Sequence, residues 1–435
     1  MLAFIGLVTI VLVVGFLLLG RMSPIVALTL VPLGGALVAG FGPEALTEFF
    51  NDGLSRVMQV ATMFVFAITF FGVLQDTGLF RPLINGLIRM TRGHVVAVTA
   101  GTAIVGALAH LDGAGATTFL LTVPALLPLY ERLSMSRYLM LMMLALGAGI
   151  ANMLPWAGPL GRAAAVTGID LTALWHPLIP IQLIGMALLV MLAIGLGLRE
   201  QRRIAAAGGA AASSASGGIG GVEATEDERV LERPRLLAVN GALFLAVVAA
   251  LVTGLLPPAL IFMIGLSLVL LINYPDVESQ MLRIRAHAPA ALLMGAIILS
   301  AGTFLGIMDG TGMLRAMAAS MVAVLPEAAI GSLHIIVGTL GMPLELVLST
   351  DAFYFGMLPI VLEVTQPAGV PAEQVVHAMV IGNIIGTFAS PFSPALWLAL
   401  GLARADIGTH IRYSFVWMWG FSLVVLGVAW ALGLF

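Results

Sequence analysis

Two long apolar stretches of this chain are interrupted in the same way, in what read as corresponding places of its two halves. The first runs Ile150-Ala-Asn152-Met-Leu-Pro155-Trp-Ala-Gly158-Pro159. The second runs Ile381-Gly-Asn383-Ile-Ile-Gly386-Thr387-Phe-Ala-Ser390-Pro391-Phe-Ser393-Pro394, and Asn152 and Asn383 stand 231 positions apart. In lipid, a broken backbone survives only where protein or a water-filled cavity satisfies the freed N–H and C=O groups. A matched pair of such breaks is the sequence mark of a binding site between two repeats of a secondary transporter.

This reading requires a polytopic all-α membrane protein, and the composition agrees. Hydrophobic residues make up 60% of the chain and charged residues 9%, against about 25% charged in soluble domains. Cysteine is absent, which excludes disulfides and thiolate metal sites. A net charge of −3 excludes a nucleic-acid partner, which needs a basic face. The first apolar run, 2–20, has no basic residue before it and Arg21 after it, the pattern of a first membrane helix rather than a signal peptide.

Further apolar runs at 24–41, 57–75, 177–198, 235–253, 257–273, 289–308 and 412–434 approach the ~20 residues needed to span a bilayer. Regions 93–168 and 329–402 do not parse as simple spans. Each holds a polar knot, His110-Leu-Asp112-Gly113-Ala-Gly115-Ala-Thr117-Thr118 or Leu348-Ser349-Thr350-Asp351, whose Gly and short polar residues favour a turn. The expected layout is a re-entrant hairpin at 93–131 followed by a broken helix at 137–168, and a second pair at 329–365 and 374–402. That layout puts sixteen of the nineteen arginines on one face, the cytoplasmic one by the positive-inside rule. It makes 1–198 and 235–435 inverted repeats, with both termini outside. Phe71-Gly72-Val-Leu-Gln-Asp76-Thr77-Gly78-Leu-Phe-Arg81 also matches Leu305-Gly306-Ile-Met-Asp309-Gly-Thr311-Gly312-Met-Leu-Arg315, 234 positions later. The Ala/Gly/Ser-rich and charged stretch 199–234 reads as a flexible cytoplasmic linker. Glu44–Phe50 and Gly312–Leu325 read as amphipathic helices along the membrane surface.

An ionisable residue inside the membrane is a functional candidate by default. Asp112 and Asp351 at the two tips are the candidates for coupling a cation, with His110 beside the first as a proton relay or a packing histidine. Thr117, Thr118, Ser349, Thr350, Thr387, Ser390 and Ser393, with Asn152, Asn383 and Gly158 of the breaks, offer substrate-binding groups. Such oxygens suit Na⁺, whereas a desolvated carboxyl suits a proton. For Asp112 the competing reading is a helix cap. Arg162 is placed to clamp a carboxylate or to snorkel to the interface. The half-helix N-termini after the breaks favour an anionic substrate. No phosphate-binding loop, nucleophile–base pair or metal-ligand spacing is present, so neither ATP coupling, an enzyme nor a resident cofactor is expected.

At these residues the chain resembles the citrate–divalent-metal:proton symporter family of the ion transporter superfamily. The motifs that carry the likeness are His110-Leu-Asp-Gly-Ala-Gly-Ala-Thr-Thr-Phe119, Pro124-Ala-Leu-Leu-Pro-Leu-Tyr130, Leu154-Pro-Trp-Ala-Gly-Pro159 with Arg162, Leu348-Ser-Thr-Asp351 with Tyr354-Phe-Gly-Met-Leu-Pro359, and Ser390-Pro-Phe-Ser-Pro394. The resemblance implies a homodimer in the bacterial inner membrane, with a scaffold domain and a moving transport domain of elevator type. It implies symport of citrate or a related di- or tricarboxylate with H⁺ or Na⁺, with Mg²⁺ or Ca²⁺ carried on the substrate. The first tip departs from the family's Asp-Gly-Asp-Gly, with Ala114 in place of the second carboxylate, and Trp156–Arg162 is less polar than usual. These departures leave a metal-free carboxylate open as the substrate. A cation/proton antiporter or an arsenite-type permease is the alternative within the superfamily.

Overall fold

The computed structural model describes residues 1–113, 115–206 and 226–435, and among them there is helix but no strand. The first half holds α1 (Leu2–Leu18), α2 (Pro24–Val38), α3 (Pro43–Asp76), α4 (Arg81–Met90), α5 (Val95–Ala109), α6 (Gly115–Arg132), α7 (Arg137–Ala151), α8 (Gly158–Thr167), α9 (Leu171–Trp175) and α10 (Leu178–Ala206). After the short α11 (Glu226–Leu231) come α12 (Leu237–Thr253), α13 (Pro258–Asn273), α14 (Val277–Gly310), α15 (Met313–Val322), α16 (Glu327–Ile330), α17 (Leu333–Thr339) and α18 (Gly341–Leu344). A π-helix at Ala352–Met357 leads into α19 (Leu358–Thr365), followed by α20 (Ala372–Asn383), α21 (Pro394–Ala403) and α22 (Ile407–Ala431). Six of the described helical segments are long and apolar enough to cross a membrane, among them α3, α14 and α22.

The two longest uninterrupted helices carry the architecture. α3 and α14 are each 34 residues long, and 234 positions separate both their starts and their ends. They pack antiparallel, with Gly53 against Gly302 and Gly306 near one end and Gly72 against His287 near the other. Only glycine allows this approach: a Cβ on Gly306 would lie 2.0 Å from the Phe49 carbonyl oxygen. Small residues let membrane helices come this close, where dispersion and backbone contact replace the hydrophobic drive. An Arg56–Asp309 ion pair of 2.9 Å closes one end, and Asp76 takes His287 at 2.8 Å and Arg283 at 3.3 Å at the other. Helices α2 and α13 pack on this pair, while α5, α6, α7, α10, α17, α20, α21 and α22 pack among themselves as a second group.

Several expected boundaries shift. Glu44–Phe50 is not a separate surface helix but the opening of α3, because no Pro follows Pro43 within it and Gly53 stays helical, packed against α14. The short helix after the long one is α4 in the first half, as α15 is in the second. The linker expected at 199–234 is shorter at both ends, and 207–225 lies outside the described residues. Residues 199–206 continue α10, and Glu200 there is buried, accepting from the Ser136 amide and Arg203. At the other end Arg233 stacks on Tyr274 at 4.7 Å and donates to the Asn273 carbonyl, while Glu232 pairs with Arg81. The charged residues that read as solvated linker are thus anchors for the ends of α3, α4 and α13.

Candidate functional site

Both expected breaks are real interruptions of helix. α7 stops at Ala151 and α8 starts at Gly158; α20 stops at Asn383 and α21 starts at Pro394, with one 3₁₀ turn at Gly386–Phe388 between. Neither α8 nor α21 has a side chain capping its first turn, so their N-terminal amides and partial positive charge remain available to an anion. The breaks touch: a Cβ on Gly149 would meet the Ile385 backbone at 3.1 Å, and the Asn152 amide donates to the Ile384 carbonyl at 3.0 Å.

The first knot folds as a 3₁₀ turn at His110–Asp112, ending at Gly113. Gly113 has φ +71°, and a Cβ there would lie 3.1 Å from the Trp156 carbonyl oxygen, so the tip needs glycine for conformation and for space. Trp156 in turn donates its indole N–H to the Leu111 carbonyl at 2.7 Å and stacks on Phe71 of α3. His110 is buried and bridges tip to break, with Nε2 3.0 Å from Asn152 Oδ1 and Nδ1 2.8 Å from the Thr118 hydroxyl. Because the Asn152 Nδ2 is spent on Ile384, its Oδ1 faces the ring. The neutral imidazole therefore donates from Nε2 and accepts at Nδ1. Asp112 accepts from the Thr117 hydroxyl at 2.7 Å. Ala114 lies outside the described residues.

The second knot reaches across to the first half. Arg162 of α8 donates from Nε to Asp351 at 2.7 Å, with side-chain exposures of 9% and 13%. The residue expected to hold substrate and the one expected to couple a cation are therefore partners in this state. Among the described residues the two terminal nitrogens of Arg162 have no protein acceptor. One of them lies against Gly158, where a Cβ would sit 2.5 Å away, so Gly158 makes room for the guanidinium at the mouth of the break. Ser349 accepts from the Ala352 amide at 3.2 Å, capping the π-helix, an irregularity frequent at functional sites. Ser390 is buried and accepts from the Phe392 amide at 3.3 Å, while Ser393 makes no side-chain cap to α21. The side-chain oxygen of Thr387 is buried without a hydrogen-bond partner, as are Asn383 Oδ1 and the Tyr354 hydroxyl.

The sequence reading passed over Glu345. Its carboxylate is fully buried and accepts from Asn383 Nδ2 at 2.8 Å and from the Thr350 hydroxyl at 3.3 Å, tying the second tip to the second break. A Cβ on Gly386 would meet the Glu345 side chain at 2.8 Å. A lone glutamate in Gly341-Met-Pro-Leu-Glu345-Leu-Val-Leu, four residues before Ser349, was the available signal. The first tip also packs on the second break, through Phe388 edge-on to His110 at 5.1 Å. Among the described residues no group of three or more His, Asp or Glu is gathered to hold a metal ion.

An interior polar site between two helix breaks and two tips, within a bundle of apolar helices, defines a multi-pass membrane transporter. The chain belongs to the citrate transporter family, whose model matches residues 1–382. It is 35% identical over 435 residues to the citrate transporter of Bacillus subtilis (strain 168), covering 100% of this chain and 99% of that one. It is 34% identical over 433 residues to the Mg(2+)/citrate complex secondary transporter of the same organism, covering 100% and 99%. In fold it is similar to the crystal structure of the Alcanivorax borkumensis YdaH transporter, with a TM-score of 0.61, 15% identity, and 91% of this chain and 89% of that chain covered. The protein is thus a secondary transporter of this family and not an enzyme.

Proposed function

We propose that the protein is a cation-coupled symporter of citrate or a closely related di- or tricarboxylate, carried as its complex with Mg²⁺ or Ca²⁺. The observation that carries this reading is Arg162: a guanidinium inside the helical bundle, held by Asp351 through Nε, with one terminal nitrogen against Gly158 at the uncapped start of α8. A carboxylate taken bidentately by its terminal nitrogens would be oriented as well as bound. The charge balance favours the metal complex. Arg162 is already paired with Asp351 and has the buried Glu345 within electrostatic reach, so free citrate at three negative charges is opposed where a metal-citrate monoanion is not. The name of the Mg(2+)/citrate relative agrees with this.

The antiparallel packing of α3 on α14, equal in length and 234 positions apart, supports two inverted repeats. We read α3 and α14 with α1, α2, α12 and α13 as a scaffold, and the second group of helices as the element that moves, with α4 and α15 as connecting arms. On this account both termini lie outside, the linker is cytoplasmic, and two copies associate in the bacterial inner membrane through the scaffold, with lipid around them.

Binding is tested by thermal unfolding of the purified protein across a panel of carboxylates, with Mg²⁺, Ca²⁺, Na⁺ or chelator. At a ligand concentration about 100-fold above Kd, the native state gains about 2.7 kcal/mol. Citrate with Mg²⁺ or Ca²⁺ is expected to raise the transition more than citrate with chelator. No shift with any carboxylate would point instead to an antiporter or an oxyanion permease.

A further inference from the structure

The site contains three carboxylates, and their surroundings differ. Asp351 has Arg162 as a direct counter-ion at 2.7 Å. Asp112 sits at the first tip beside the Thr117 hydroxyl. Glu345 is fully buried, and among the described residues no arginine or histidine lies within ion-pair distance of it. Its two partners, Asn383 and Thr350, are neutral donors. The charged and titratable groups within electrostatic reach are Arg162, Asp351 and the Tyr354 phenol.

We propose that Glu345 is the group that binds the coupling proton, alternating between an ionised form held by Asn383 Nδ2 and a neutral form in which the Asn383 amide has turned over. This rests on the symport reading above and names its coupling group. The orphaned atom beside the carboxylate carries the second half of the proposal. Asn383 Oδ1 is buried with no donor in this state, an arrangement that costs free energy unless another state uses it. A proton taken from water onto Oε1 makes an O–H that donates to Oδ1 once the amide rotates by half a turn. The Thr350 hydroxyl continues to donate to Oε2. The Nδ2–Oε1 hydrogen bond is given up as Nδ2 takes the place of Oδ1, and the proton returns to water when the site opens on the other side.

Coupling to substrate follows from Arg162. While the site is empty, its guanidinium offsets part of the negative charge around Glu345 and Asp351. A substrate carboxylate on its terminal nitrogens takes up that positive charge, so ionised Glu345 becomes costlier and the neutral form is favoured. The linkage is reciprocal: protonation of Glu345 strengthens anion binding by the same factor. A loaded site then carries substrate and proton together.

Glu345→Gln mimics the neutral form, since its amide N–H₂ can donate to Asn383 Oδ1 and its oxygen can accept from Thr350. In proteoliposomes the variant is expected to lose citrate accumulation driven by a pH gradient by at least about tenfold. Citrate binding by the variant should no longer be accompanied by proton uptake, because the amide cannot titrate. Wild-type accumulation under the same pH gradient reports the symport reading separately. Independent of how the variant folds, wild-type protein in weakly buffered detergent should take up about one proton per citrate bound at a pH near neutrality, read with a pH dye. Gradient-driven accumulation by Glu345→Gln at the wild-type level, or citrate binding by wild type without proton uptake, would overturn the assignment.

Discussion

Arg162→Ala is expected to abolish carboxylate uptake and to destabilise the fold, whereas Arg162→Ala combined with Asp351→Ala recovers much of the stability and none of the uptake. Removing one partner of a buried ion pair leaves an uncompensated charge and costs about 3–5 kcal/mol, while removing both spares that desolvation penalty. The pair joins α8 of the first half to the tip before the π-helix of the second, so its loss also loosens the two halves against each other. Asp351→Asn should sit between these variants. It keeps the shape and one acceptor, so the protein folds, but it removes the charge that holds the guanidinium in line with the break, and gradient-driven uptake is lost. Unfolding transitions in detergent and uptake in proteoliposomes separate the two effects. Wild-type uptake by Arg162→Ala would remove this arginine from the site.

Gly382→Leu carries the second large effect. α17 and α20 cross at Gly338 and Gly382, where a Cβ on Gly382 would lie 1.9 Å from the Gly338 carbonyl oxygen. No side chain can yield there, because the obstacle is backbone, so the helices must part. Overpacking of this kind costs about 1–3 kcal/mol or more, and it falls next to Asn383, whose amide holds Glu345. Gly382→Leu is expected to yield no monodisperse protein, and Gly382→Ala a protein with a lowered transition and impaired uptake. Gly427 in α22 is the contrast, since a Cβ there has open space around it. Gly427→Ala should leave the transition unchanged or raise it by the equivalent of about 0.5–1 kcal/mol, the helix-propensity difference. Size-exclusion profiles and thermal scans of the three variants decide the matter, and a well-folded Gly382→Leu would contradict the tight crossing.

What was legible in the sequence was whatever breaks a local rule. Asn152, Pro155 and Gly158, like Gly386, Pro391 and Pro394, interrupt helix by their own backbone preferences, so the two breaks announce themselves. The tips do the same through Gly113, Gly115 and the polar run Ser349–Asp351. Pairings across the halves are another kind of fact. Arg162 and Asp351 are 189 positions apart, and nothing in either neighbourhood specifies the other. The bond from Asn152 to the Ile384 carbonyl uses a backbone group, which any residue would supply. Glu345 escaped notice because its apolar flanks resemble an ordinary span and the polar run after it drew attention away. The ends of the linker misled for the opposite reason: Glu200, Glu232 and Arg233 look like solvated charge, yet each is tied to a neighbouring helix end, Glu200 through the Ser136 amide at the start of α7.

The most direct test of the account is citrate uptake into proteoliposomes holding only the purified protein, with Mg²⁺ present or chelated, under an imposed inward proton gradient. The account predicts accumulation above equilibrium with Mg²⁺, collapse of that accumulation when the gradient is dissipated, and loss of it in Asp351→Asn. Citrate that only equilibrates, at the same rate with and without the gradient, would contradict it.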